Sequence, residues 1–253
     1  GTTATLSWSD VSDDDISYFV VECEQSDGAW KSVSRTSTNL GVNLSGLTPE
    51  HDYVYRVIGY DKRSNRGTPS EEITVTTLKD TICPKVTKIT PDPGYFKSEI
   101  NLRFTAEDDY RVKSIEIQTS TDKESWKTVS EIKATGESAK CTFDCKLDLK
   151  NYEEGSVFVR AKVYDSYGNV TEDKDLTCYE YVVDRTAPVQ PTGVTASSGE
   201  TEGGSSFVNI SWNAITDDNS FAYYRVYKSN SADGEFTLLK NNVKTVNTYD
   251  ENV

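Results

Sequence analysis

Aspartate pairs recur along this chain, each a few residues beyond a hydrophobic run. Asp13-Asp14 follows Leu6-Ser7-Trp8, Asp108-Asp109 follows Leu102-Arg103-Phe104, and Asp217-Asp218 follows Ile210-Ser211-Trp212. Carboxylates are hard oxygen donors, and calcium takes about six to eight such oxygens. Asp residues gathered from separate segments would therefore hold a divalent cation. The same residue types also cap turns and stay solvated, and both readings stand at this stage. Other reactive residues are sparse. The one histidine, His51, lies between Glu50 and Asp52 in a predicted turn, and a lone imidazole builds no Ser-His-Asp arrangement. Neither a glycine-rich phosphate loop nor a nucleophile elbow occurs. Carboxylates are numerous enough for a glycosidase pair, but they fall in the loops of small modules without a large cleft. The expectation is a chain that is not an enzyme and needs no cofactor, calcium apart.

Five cysteines, Cys23, Cys83, Cys141, Cys145 and Cys178, cannot all pair within one chain. Buried thiols acting as small apolar groups are the simplest account. Cys141-x-x-x-Cys145 lacks the second pair or histidine that structural zinc requires.

Composition narrows the class further. The 253 residues carry 27 Lys and Arg against 41 Asp and Glu, a net charge of −14. Such a surface repels nucleic acid, which needs clustered cations. No run of apolar residues is long enough to span a membrane. Thr, Ser, Val and Tyr are plentiful and Met is absent, which favours strands.

The elements that must position the acidic pairs are strands, and they repeat. After each pair comes an apolar alternation: Phe19-x-Val21, Ile115-x-Ile117 and Tyr224-x-Val226. A strand–acidic loop–strand unit recurring about every hundred residues indicates tandem modules. In residues 1–79 strands are predicted at Leu6–Trp8, Ser17–Glu24, Trp30–Val33, Asn39–Leu44, Tyr53–Tyr60 and Ile73–Leu78, with a turn at Ser26-Asp27-Gly28. In residues 80–185 they are predicted at Lys85–Thr90, Ile100–Ala106, Val112–Ser120, Trp126–Ile132, Lys140–Leu149, Val157–Tyr164 and Leu176–Val183. The fold class is therefore all-β, a string of sandwiches.

Leu47-Thr48-Pro49-Glu50-His51-Asp52-Tyr53 resembles the E–F corner of a fibronectin type III domain, and with Trp8 and Phe19-x-Val21 the resemblance covers residues 1–79. It implies a tyrosine corner, the Tyr53 hydroxyl bonded to backbone upstream, and a strand A missing or lying before Gly1. Residues 80–185 carry Val157 in the place of Tyr53 and Phe104 in the place of Trp8, and Ala161–Thr171 is similar to the ending of bacterial Ig-like modules. Residues 186–253 open with Thr186-Ala187-Pro188 and are similar to a bacterial fibronectin type III repeat, with strands F and G expected beyond the end.

In sandwiches of this kind the B–C and F–G loops lie where the preceding module enters. The resemblance then implies two acidic junctions: Asp80, Asp108, Asp109 and Asp165 at the first, and Asp184, Asp217, Asp218 and Asn219 at the second. It also allows a Cys83–Cys178 disulfide, if the first and last strands of an Ig-like module run side by side. The implied role is a spacer or stalk of an extracellular, bacterial surface or secreted protein, whose partners are the other domains of a longer chain. Adhesion to a host protein or a glycan is the alternative, and an accessory module of a carbohydrate-active enzyme is another. Tyr110, Tyr167 and Phe221 discriminate between them: a flat exposed patch favours adhesion, and packing at junctions favours the spacer.

Overall fold

The computed structural model describes residues 1–9, 14–37, 39–216 and 218–251. Six strands form the first sandwich: β1 (Thr3–Ser7), β2 (Ile16–Glu24), β3 (Trp30–Thr36), β4 (Gly41–Ser45), β5 (Asp52–Asp61) and β6 (Ile73–Thr76). One layer is β1-β4 and the other is β3-β2-β5-β6. The alternation predicted for β2 places Phe19, Val21 and Cys23 in the core, where Leu6, Leu44 and Tyr55 meet the last two. Trp8 packs edge-on against Phe19, ring centroids 5.5 Å apart, a geometry that suits the ring quadrupoles. Gly28, at φ +79°, supplies the left-handed residue of the β2–β3 turn, a conformation that costs glycine little.

The tyrosine corner is present. The Tyr53 hydroxyl accepts a hydrogen bond from the Thr48 N–H at 2.8 Å. A Tyr53→Phe chain is expected to lose about 1–2 kcal/mol, because the Thr48 amide is left without its acceptor. Urea denaturation followed by tryptophan fluorescence measures the loss, and an unchanged midpoint would remove the corner from the stability account.

Six further strands follow: β7 (Lys85–Thr90), β8 (Tyr95–Phe96), β9 (Glu99–Ser120), β10 (Lys127–Asp148), β11 (Gly155–Asp165) and β12 (Tyr179–Val183), with one 3-10 turn at Asp173–Asp175. Here the structure corrects the strand count. The predicted pairs 100–106 and 112–120, and 126–132 and 140–149, are two continuous 22-residue strands, β9 and β10. Their register breaks between Lys133 and Ser138 and again before Lys140. Such bulges bend and twist a strand without ending it. The first half of β9 pairs with β7, its second half pairs with β11, and β10 follows both, so one folded sheet supplies both layers. Ile100, Leu102, Phe104 and Ala106 alternate into the core with almost no exposure. Phe104 lies opposite Phe143 on β10 and Ile89 on β7.

All five cysteines are free thiols, so the Cys83–Cys178 disulfide does not form. The first and last strands are not partners: β7 pairs with β9, while β12 pairs in parallel with β8. Cys83 instead lies near Glu172, and Cys178 near Lys123 and Arg160. Burial pushes the thiols of Cys141 and Cys145 up, as expected for small apolar groups on a strand.

The remaining strands are β13 (Thr195–Glu200), β14 (Ser206–Ser211), β15 (Tyr224–Lys228), β16 (Thr237–Val243) and β17 (Asn247–Asp250). They form two sheets, β13-β14-β17 and β15-β16. The repeat noted in the sequence recurs in packing: Trp212 meets Tyr224 edge-on at 5.0 Å, as Trp8 meets Phe19. The Tyr224 hydroxyl accepts from the Ile215 N–H at 2.9 Å.

The chain divides into two compact units. The first comprises Gly1–Gly94, Ser98–Asn151 and Ser156–Tyr181, so it holds the first sandwich and most of the second; the other comprises Tyr95–Lys97, Tyr152–Gly155 and the chain from Val182 on.

Candidate functional site

The site is built on the turn that ends β11. The Asp165 Oδ1 accepts the backbone N–H groups of Tyr167 and Asn169, both at 2.8 Å, and its Oδ2 accepts the Asn169 side-chain amide at 2.6 Å. Gly168, at φ +90°, lets the chain reverse inside this loop. The first sandwich has the same turn after β5. There Asp61 accepts Arg63 N–H, Asn65 N–H and the Asn65 side-chain amide at 2.8, 2.8 and 2.7 Å. Those bonds to Asn65 hold the Asp61 carboxyl below its ordinary pKa. The twins differ in setting: Asp165 is buried, and Asp61 borders solvent.

Two more carboxylates meet Asp165. Asp108 sits in β9 where the pairing with β10 lapses between Glu107 and Val112, in a continuous strand rather than the loop predicted for it. Its Oδ2 accepts Tyr110 N–H and Arg111 N–H, both at 3.1 Å, which takes up two amides that the bulge frees from the ladder. Asp80 follows β6. Its Oδ1 accepts Ile82 N–H at 3.1 Å, and its carbonyl accepts the Asn169 side-chain amide at 3.3 Å. Asp80, Asp108 and Asp165 each offer a carboxylate oxygen within 4.8 Å of the others. Among the described residues no other His, Cys, Asp or Glu group is so placed.

The electrostatics are unfavourable as they stand. Asp80 has no solvent exposure. Its Oδ2 and the Asp108 Oδ1 are buried and accept no hydrogen bond. Burial pushes the Asp80 carboxyl up, and the charges of Asp109 and Asp165 add to that. Burial likewise raises Asp108, joined by the charges of Asp80, Asp109 and Asp165. Asp109, predicted with the cluster, is turned outward and exposed; its Oδ2 accepts the Thr2 hydroxyl at 3.1 Å.

Asp184, Asp218 and Asn219 of the second acidic set line one pocket with Glu154, but among the described residues no three carboxylates there come as close as in the first. Asp184 accepts Thr186 N–H at 3.1 Å. Asp218 accepts the N–H and hydroxyl of Ser220 at 2.8 and 2.6 Å. Both are local turn caps, Asn219 is exposed, and Asp217 lies outside the described residues. Asp13, of the first acidic pair, lies outside them as well.

The discriminating aromatics are packed. The rings of Tyr110 and Tyr167 meet at 5.7 Å. The Tyr110 hydroxyl donates to Thr48 Oγ1 at 3.2 Å, and the Tyr167 hydroxyl donates to the Pro49 carbonyl at 3.1 Å. Thr48 and Pro49 belong to the corner that Tyr53 closes, so the tyrosine corner of the first sandwich is the platform on which the second one rests. Phe221 packs on Tyr224 with centroids 4.5 Å apart. Sequence reasoning missed Thr48, Pro49 and Asn169 as site residues. Only Asn169 had a signal, its place in the Asp165-x-x-Gly168-Asn169 run, which Asp61-x-x-Ser64-Asn65 parallels with Ser for Gly.

Residues 1–76 match the fibronectin type III domain family. These domains are generally non-catalytic modules of multi-domain chains. Two solved structures are similar to this chain. One is the FN1-FN3 domains of chicken CNTN1, at 17% identity and a TM-score of 0.42, covering 100% of this chain and 84% of that one. The other is the fibronectin(III)-like modules of Clostridium thermocellum CbhA, at 15% identity and a TM-score of 0.29, covering 75% of this chain and 92% of that one. No curated protein matches the chain. Among the described residues no helix is long and apolar enough to cross a membrane.

Proposed function

We propose that this chain is a non-catalytic spacer of an extracellular protein, one whose first two sandwiches act as a single stiff piece. The observation that carries the reading is the fate of Tyr110 and Tyr167. Their hydroxyls bond to Thr48 and Pro49 of the preceding sandwich, so rings that would make a glycan platform are spent on holding two modules together. Thr2–Asp109 adds a polar bond across the same boundary, and Asn169–Asp80 ties the linker after β6 to the second sandwich. Short linkers with weak contacts leave domains free to reorient, and four directed hydrogen bonds work against that.

The test replaces both tyrosines by phenylalanine, keeping the rings and deleting the hydroxyls. The two hydroxyl bonds together contribute about 1–3 kcal/mol. In the parent chain the first two sandwiches should unfold in one calorimetric transition and tumble with one correlation time by amide relaxation. In the double variant the transition should broaden or split and the correlation times separate. Two independent correlation times in the parent chain would sink the spacer reading.

A further inference from the structure

We infer that Asp80, Asp108 and Asp165 form a calcium site at the boundary between the first two sandwiches. The inference deepens the spacer reading by naming the ligand that would lock that boundary. Three carboxylates from separate segments converge within 4.8 Å, and oxygens on opposite sides of one calcium ion lie about 5 Å apart. Convergence of acids alone would mean little, and Asp61 forms the same turn as Asp165 with no such cluster among the described residues. The buried oxygens add what the turn does not explain. Asp80 is fully buried, yet its Oδ2 has no partner, and neither has the Asp108 Oδ1. A buried carboxylate oxygen facing other carboxylates without a donor is costly. A cation satisfies both oxygens and cancels the repulsion among the three charges.

The donor chemistry selects the ion. All ligands are oxygens, with neither sulfur nor imidazole in the group, which suits hard cations rather than zinc or copper. Magnesium keeps several of its waters. A pocket in which Asp80 and Asp165 are shielded from solvent leaves little room for them, so the larger calcium ion, which sheds water more readily, fits better. The exposed carboxylate of Asp109 is adjacent in sequence and adds negative potential at the entrance.

The experiment uses the full chain stripped with chelator, then titrated with calcium, with magnesium and sodium at equal ionic strength as controls. Calcium in hundredfold excess over its Kd should raise the melting temperature of the first unit by about 5–10 °C. Magnesium should do much less. Terbium in place of calcium should luminesce on tyrosine excitation, through Tyr110 and Tyr167. Asp108→Asn and Asp80→Asn should each abolish the calcium shift and the terbium signal, and Asp218→Asn should leave both intact. In chelator, either cluster variant should be at least as stable as the parent, because it removes one repelling charge; circular dichroism confirms that it folds. No calcium shift up to 10 mM, or a shift of the same size in Asp108→Asn, overturns the site and leaves three acids sharing protons. The tyrosine relaxation experiment is separate: a chain that binds calcium while its sandwiches tumble independently keeps the site and loses the spacer.

Discussion

Asp165→Ala is expected to destabilise the first unit by about 3–5 kcal/mol in chelator. The carboxylate is buried and accepts three hydrogen bonds, from Tyr167 N–H, Asn169 N–H and the Asn169 amide. Bonds to a charged acceptor contribute about 1.5–3 kcal/mol each, and donors left unsatisfied in a buried turn cost more than their bonds gained. Relief of repulsion with Asp80 and Asp108 offsets part of the loss, which is why the estimate lies below the plain sum. The effect spreads because the turn aims Tyr167 at Pro49 of the first sandwich and Asn169 at the Asp80 carbonyl of the linker. The internal control is Asp61→Ala, which removes the matching bonds at a turn bordering solvent, where water replaces the lost acceptor. Urea unfolding of both variants should show a clearly larger midpoint change for Asp165. Equal changes would mean that burial of the second turn contributes nothing.

That contrast shows what the sequence makes legible. The tandem all-β architecture follows from the spacing of Trp8, Phe104 and Trp212 with the alternations behind them, since period-two burial is visible in residue order. The corner at Leu47–Tyr53 carries a recognisable pattern, and Tyr53 behaves as that pattern implies. The first strand break in the second sandwich was misplaced because Asp108-Asp109 read as turn residues, whereas a bulge also tolerates them. Asp108 supplies from its own side chain the acceptor that the broken ladder lacks, so the strand continues. Three of the four acids assigned to the first junction come together, because the topology brings the stretch after β6, the irregular middle of β9 and the end of β11 to one place. Which acids turn inward was not legible. Asp108 and Asp109 are neighbours on a strand, so their side chains point to opposite sides; one enters the cluster and the other meets Thr2. The disulfide failed for a related reason. Cysteine positions were read against a strand pairing that β8, a two-residue strand with no sequence signal, takes for itself.

A charge pair should dominate the stability of the second unit. Between Thr186 and Glu251 only Trp212 and Tyr224 are buried apolar side chains among the described residues, while Phe236, Leu238, Tyr227 and Tyr249 are each about half exposed or more. So small a core contributes little burial energy. Lys228 on β15 bonds Asp250 on β17 at 2.7 Å, with the Asp250 side chain only 5% exposed, and these strands belong to different sheets. The pair therefore crosses the sandwich and ties its layers. Lys228→Met keeps the aliphatic stem and removes the cation, leaving the Asp250 charge inside. Breaking a buried pair on one side costs about 3–5 kcal/mol; with Lys228 one-third exposed, water recovers part of this, and about 2–4 kcal/mol is expected. Calorimetry of the full chain should show the transition of the second unit falling while that of the first stays fixed. The Lys228→Met/Asp250→Leu chain should regain much of the loss, since two apolar side chains of similar volume bury no charge. If the single variant melts with the parent, the layers are held by Trp212 and Tyr224 alone. If the double variant is no better than the single, the cost lies in lost packing rather than in the buried carboxylate's loss of its cation.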